Sequence, residues 1–298
     1  MNRDLSRLLP WLVRALWAAL PFTTGPTLAA ALDAASRPVQ VLASTGLWAG
    51  WAVGMVAAFV PLPVTLTALR VVAPAAVVAA LLAALGEHPS ALAIAWAGVA
   101  CAWAFAPAIG AAYVNGPAYP NERRFPLRPP GPLLAGPLPS AWVLSVAGIA
   151  AGPLLLAARQ WVLGGLLLVV GWPLAFLLLK SIHNLSRRWA VFVPAGVVLH
   201  DPVVLFDPML FRRQEIIAFR PATDADTGSF DLSQRAPGLS IQMEFDEPAT
   251  LTLLKPGKRE GVAIHASAVR FTPTRPGAVL EEAARRRIRA ARRPTSGG

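Results

Sequence analysis

Over residues 1–180, long apolar runs are separated by short charged breaks; beyond them, apolar and polar positions alternate on a shorter period. A bilayer crossing needs about 20 consecutive apolar residues, with about 17–25 as the usual range. Six stretches meet or approach that length: residues 8–22, 39–60, 67–86, 90–112, 140–157 and 160–179. The first is interrupted by Arg14, Pro10 and Pro21. Its basic start, short apolar stretch and following small residues also fit a cleaved signal peptide. Arg14 breaks the apolar core such a peptide needs, so the segment reads as a retained span, with an amphipathic segment over residues 27–35 after it.

From Arg187 the pattern changes. Runs rich in Val, Ile and Phe cover residues 189–199 and 209–219, punctuated by the turn signals Pro194-Ala195-Gly196, His200-Asp201-Pro202 and Asp207-Pro208. Residues 239–245 alternate strictly, and 250–254 and 262–271 continue in the same manner. Residues 223–237, rich in Asp, Gly and Ser, read as a mobile loop. Thr274 as a cap, Pro276 in the first turn and early Glu281 and Glu282 predict a helix running to about Arg293. Residues 294–298 read as a disordered tail. The expected fold is an α-helical integral membrane protein of about six spans (residues 1–180), followed by a small cytoplasmic β-rich α+β domain (residues 187–293).

Composition agrees with two parts. The chain is 55% hydrophobic and 14% charged, with mean hydropathy +0.52; soluble domains average about 25% charged residues. The lone Cys101 excludes a disulfide scaffold. The first 180 residues hold ten basic and four acidic side chains, and the last 118 hold seventeen and twelve. Orientation follows from the basic residues. With the N-terminus inside, Arg3, Arg7, Arg14, Arg70, Arg123, Arg124, Arg128 and Lys180 all fall on the cytoplasmic side, while Arg37 and Arg159 balance Asp33 and Glu87 outside. Both termini are therefore expected in the cytoplasm, with the chain in the plasma membrane. Trp142, Trp161 and Trp189 fall near expected span ends, where indoles favour the interface.

Within the spans, Gly46, Gly50 and Gly54 recur every four residues, and Gly148 and Gly152 form one further pair. Such strips let helix backbones approach closely. They serve packing inside one monomer or a homo-oligomer interface, and the availability of five neighbouring spans favours the first. No Asp, Glu, Lys or His lies well inside a span, which disfavours proton-coupled transport and intramembrane catalysis. Arg14 and Arg70 are placed to snorkel. Pro107, Pro153 and Pro173 are candidate kinks. Residues 113–139, rich in Pro and carrying Arg123, Arg124 and Arg128, read as a tether at anionic headgroups, with docking to a partner or to the C-terminal domain as the alternative.

Several short strands followed by one helix, on the cytoplasmic side of a membrane, resemble a bacterial pleckstrin-homology-like domain over residues 187–292. The resemblance implies a sheet whose loops bind peptides, lipids or other subunits. The family's basic cluster in the first hairpin has no counterpart here, since Arg212 and Arg213 come only in the second. His200, Asp201, Asp207 and His265 are the candidates for chemistry, and their sequence contexts fit turns better than a converging site. No catalytic residue, metal or cofactor is assigned. The tail arginines Arg285, Arg286, Arg287, Arg289, Arg292 and Arg293 suit a solvated helix face or the anionic inner leaflet, where each is worth about 1 kcal/mol. Nucleic-acid binding would want a wider basic surface with interleaved aromatics. The expected function is a membrane scaffold, regulatory or assembly protein whose domain binds a cytoplasmic protein partner or anionic lipid; a transporter or channel component is the alternative.

Overall fold

The computed structural model describes residues 3–86, 89–223, 228–255 and 260–288, with side chains from Pro10 onward. It divides into a helical unit (Met1–Gly116 with Pro139–His183) and a sheet-rich unit (Pro117–Leu138 with Asn184–Gly298). The helices are α1 (Arg3–Ala18), α2 (Leu20–Thr23), α3 (Gly25–Leu32), α4 (Arg37–Phe59), α5 (Pro63–Ala83), α6 (Ala91–Ala104), α7 (Pro107–Asn115), α8 (Gly131–Leu134, in the sheet-rich unit), α9 (Pro137–Ala157), α10 (Trp161–Ser186) and α11 (Pro276–Arg285, closing the sheet-rich unit).

Five helical segments are long and apolar enough to cross a bilayer: Pro10–Leu32, which joins most of α1 to α2 and α3, and α4, α5, α9 and α10. The pair α6–α7, bent by 51°, makes a sixth if counted as one. The bend falls before Pro107, which has no N–H to continue the ladder of α6. Pro153 and Pro173 lie inside continuous helices instead.

Three prolines are matched by side chains that take over the carbonyl their missing N–H leaves free. Pro21, Pro61 and Pro153 cannot bond the carbonyls of Trp17, Ala57 and Ile149, four residues earlier. Those oxygens accept from Trp51 Nε1 at 3.0 Å, Tyr113 Oη at 2.7 Å and Trp172 Nε1 at 3.3 Å. Each carbonyl thus finds a donor on a neighbouring helix in place of the lost amide. The two early arginines act alike. Arg14 Nε donates to Ala58 O in the last turn of α4, and Arg70 Nε donates to Ala104 O at the end of α6. Each guanidinium also lies over aromatic rings, Trp11 and Phe59 for Arg14 and Phe105 for Arg70. A cation at a helix C-terminus meets its exposed carbonyls favourably.

Glycines divide into two kinds. A Cβ on Gly148 would lie 2.7 Å from Gly171 O, and one on Gly152 would lie 2.7 Å from Leu168 N, so α9 and α10 approach backbone to backbone. Gly54 makes room for the Trp17 ring, which occupies the place its Cβ would take. Gly46 and Gly50 differ from the packing expectation: a Cβ on either would meet nothing within 4 Å. The four-residue repeat is continuous in sequence, but only its last member is covered by a bulky neighbour.

In the sheet-rich unit, β1 (Arg123–Pro126), β2 (Trp189–Val193), β3 (Gly196–His200) and β4 (Met209–Arg212) form one antiparallel sheet in chain order. A second sheet has the order β5 (Ile216–Pro221), β7 (Ile241–Leu254), β8 (Gly261–Phe271), β6 (Phe230–Asp231), with β6 parallel to β8. Phe125, Phe192, Phe211, Phe219, Phe245 and Phe271 form the shared core, which Val279, Ala283 and Ile288 join from the C-terminal segment.

Several expectations are corrected here. The Pro-rich connection is not a tether but follows the alternative of docking to the C-terminal domain: β1 pairs with β2, Arg123 opposite Phe192 through Pro126 opposite Trp189, and Phe125 and Leu127 enter the core. Residues 241–254 make one strand, with a register shift between Glu244 and Ala249 where Pro248 cannot donate to the ladder. The described part of the expected loop at 223–237 holds β6 and buried Leu232, and Asp231 accepts from Ser233 and Arg235 backbone amides. The N-cap of α11 is Arg275, not Thr274, and the helix stops at Arg285 rather than about Arg293. The tail at 294–298 lies outside the described residues.

Candidate functional site

The end of α11 shows why three basic residues converge. Val279 and Ala283 bury one face of the helix against the core. Ile288 must also be buried, and to reach the core the chain reverses sharply after Arg286. Arg287 takes the left-handed conformation (φ 56°), its N–H donates to Ala284 O, and the Ile288 N–H donates to Ala283 O at 3.0 Å. This paired capping pattern with an apolar residue beyond it is a common helix stop that usually places Gly at the left-handed position. An L-residue there costs about 1–2 kcal/mol. Arg287→Gly is therefore expected to raise the thermal stability of the sheet-rich unit, by about 1 kcal/mol, as read by hydrogen exchange over residues 278–284.

A cavity of about 360 Å³ lies beside this turn, lined by Val193, Pro194 and Gly196 of the β2–β3 hairpin and by Arg213, Arg285, Arg286, Arg287 and Ile288. Arg213 belongs to the turn after β4, and its Nη1 donates to Arg286 O at 3.5 Å. Arg286 Nη2 donates to Asn121 O at 3.0 Å, tying the cluster to the segment before β1. Glu282, 4% exposed, accepts from Arg285 Nη2 and from Arg286 Nε at 2.6 Å. It fixes two of the four arginines without neutralising the set. Guanidinium groups present planar forks of donors suited to carboxylate or phosphate oxygens.

Burial opposes ionisation of Glu282, but the hydrogen bonds from Arg285 and Arg286 outweigh it and hold the carboxyl below its ordinary value. A depressed carboxyl stabilises the fold above its unfolded value of about 4.3, and that contribution is lost as pH falls through the folded value. Unfolding temperatures measured between pH 6 and pH 3 should therefore decline, and Glu282→Gln should remove part of the decline.

Of the basic residues singled out in the sequence, Arg285, Arg286 and Arg287 meet in this cavity. Arg289, Arg292 and Arg293 lie outside the described residues. Arg123, Arg124 and Arg128 are used elsewhere: Arg123 lies over the Phe125 ring, Arg124 pairs with Glu122 at 2.8 Å and lies over Trp189, and Arg128 runs past Gly238. Arg124 holds the Glu122 carboxyl below its usual range. Arg213 was visible in sequence only as a basic residue in the second hairpin.

Three of the four candidates for chemistry have structural roles, and the fourth, Asp207, is exposed in the turn before β4. Trp189 stacks on His200, His265 bonds Thr250 at 3.1 Å, and Asp201 pairs with Arg188. Among the described residues, no three His, Cys, Asp or Glu side chains converge on a metal-sized site. Set against family models, curated proteins and solved structures, the chain has no match in any of the three comparisons.

Proposed function

We propose that the chain is a multi-pass plasma-membrane protein of about six spans, acting as a scaffold, regulatory or assembly factor. Its cytoplasmic pleckstrin-homology-like unit binds an anionic group offered by the inner leaflet or by a protein partner. The arginine-lined cavity at the end of α11 is the observation that carries this reading.

The membrane assignment is supported by apolar residues directed outward along α10, among them Val162, Leu166, Val169, Phe176 and Leu177, which water would penalise. Hydrogen-bonded strands must share one side of a bilayer. Because β1 precedes α9 and β2 follows α10, those two helices cross as a pair, and their flanks lie together on the side favoured by Arg123, Arg124 and Arg128. Two sheets closed by a C-terminal helix support the pleckstrin-homology-like reading. Transport, the alternative class, would draw on the broken α6–α7 pair. There the Arg70 side chain is engaged with Ala104 O at the break, and a cavity in the helical unit has a mostly apolar lining.

The test uses the full chain, because a fragment starting at residue 187 would lack β1 and the core side chains of Phe125 and Leu127. The protein in mild detergent is titrated with dihexanoyl phosphatidic acid and, as control, dihexanoyl phosphatidylcholine. Selective binding of the anion, weakened at least tenfold by Arg285→Ser, Arg286→Ser and Arg287→Ser together, is expected. Equal binding by the triple variant would refute the site. Solute flux through liposomes containing only this protein would overturn the scaffold reading.

A further inference from the structure

We infer that the helical unit holds one hydrocarbon chain of a lipid in a cavity between α2–α3, α4 and α5. The inference rests on the membrane reading above. The cavity measures about 380 Å³ and is walled by Trp17, Leu28, Trp48 and Trp51 on one side and by Val72 and Ala76 on the other. That volume lies at the small end of the range of about 300–1,000 Å³ typical of ligand sites.

Three glycines make the space. Gly25, Gly46 and Gly50 all line it, and a Cβ on any of them would meet nothing within 4 Å. Elsewhere in the unit glycine permits close helix approach, as at Gly148 and Gly171; here it widens a gap.

The lining offers few free polar groups. Trp17 Nε1 donates to Trp51 O at 2.8 Å, Trp51 Nε1 returns a bond to Trp17 O at 3.0 Å, and Thr24 Oγ1 donates to Leu20 O at 2.7 Å. A buried water needs two to four polar partners, and apart from the Ser44 hydroxyl and the Trp48 indole the lining residues offer no free side-chain donor. An empty apolar space would instead forfeit dispersion contacts along its lining.

Depth selects the occupant. On α4 the lining runs from Ser44 to Trp51, seven to fourteen positions after Arg37. At 1.5 Å per residue that is about 10–21 Å along the helix, inside the roughly 30 Å hydrocarbon layer. The cavity is open on part of its surface, and at that depth the available filler is an acyl chain.

The full chain is reconstituted in phosphatidylcholine liposomes containing a phosphatidylcholine with a diazirine in one acyl chain. After irradiation, labelled peptides are mapped. Labelling of the Trp48–Trp51 and Val72–Ala76 segments is expected, alongside labelling of the outward face of α10 at Val162–Val170. Gly50→Leu, and separately Ala76→Leu from the opposite wall, should cut the cavity labelling at least fivefold and leave the α10 labelling unchanged. Label on α10 with none in the cavity, or cavity label indifferent to both substitutions, would overturn the proposal alone. Absence of label throughout would overturn the membrane reading and this proposal with it.

Discussion

Asp201→Ala is expected to destabilise the sheet-rich unit by about 3–5 kcal/mol, the range for stripping one partner from a buried ion pair. Arg188 and Asp201 have side-chain exposures of 0% and 2% and form two parallel bonds, Nε to Oδ1 at 2.8 Å and Nη2 to Oδ2 at 2.6 Å. The guanidinium also donates to Arg128 O at 2.9 Å and Leu232 O at 3.3 Å, while Asp201 Oδ1 accepts from the Val203 amide at 3.1 Å. One arginine thus joins three segments: the chain after β1, the β2–β3 hairpin and the turn after β6. Without the carboxylate, a buried cation remains with only carbonyls to face. Hydrogen exchange of peptides covering residues 189–200 in the full chain reads the loss, and protection reduced by less than tenfold would contradict the assignment. Replacing both partners, Arg188→Met with Asp201→Leu, should cost less than Asp201→Ala, because no charge is stranded.

Trp17→Ala should cost the helical unit about 3–5 kcal/mol, the range for truncating a large buried aromatic side chain. Trp17 is 2% exposed, its ring fills the space left by Gly54, and its indole and that of Trp51 exchange hydrogen bonds between α1 and α4. Trp96 Nε1 adds a bond to Leu16 O at 2.9 Å. The break after α1 is thereby closed by side chains from two other helices. Unfolding temperature in detergent is the measurement, with Trp48→Ala as control, since Trp48 is largely exposed. Equal effects at the two positions would remove this role for Trp17. Trp17→Phe should fall between them, keeping much of the volume and losing the donor.

The six apolar stretches were legible because their signal is local: length and hydropathy along one segment suffice. Helix ends shifted by several residues, notably the first, where apolar chain continues to Leu32 through two turns that Pro21 and Pro26 permit. The hairpin at Pro194–Gly196 and the alternation at 239–245 were legible for the same reason. The 113–139 segment misled because its prolines describe a stiff extended chain equally suited to a tether or an edge strand. Choosing between them requires knowing that Phe125 and Leu127 find a core built from strands far later in the chain. Asp201 was legible in part: His-Asp-Pro is good turn chemistry and the residue does cap a turn, but nothing near it in sequence announces Arg188 as its partner. The arginine site was half legible. Arg285–Arg287 stand out as a charge run, whereas Arg213 joins them only because the turn after β4 meets the end of α11.

By itself, the sequence determined the division into an apolar helical part and a strand-rich part, and the approximate positions of the long apolar helices. These properties add up residue by residue along a segment. Tertiary structure alone decided that the interhelical segment belongs to the sheet, that Gly54 packs while Gly46 and Gly50 open a cavity, which carbonyls freed by proline find donors, and which arginines share a site. Each of those outcomes depends on a pairing between distant residues, and identical local sequence is compatible with either result until the partner is in place.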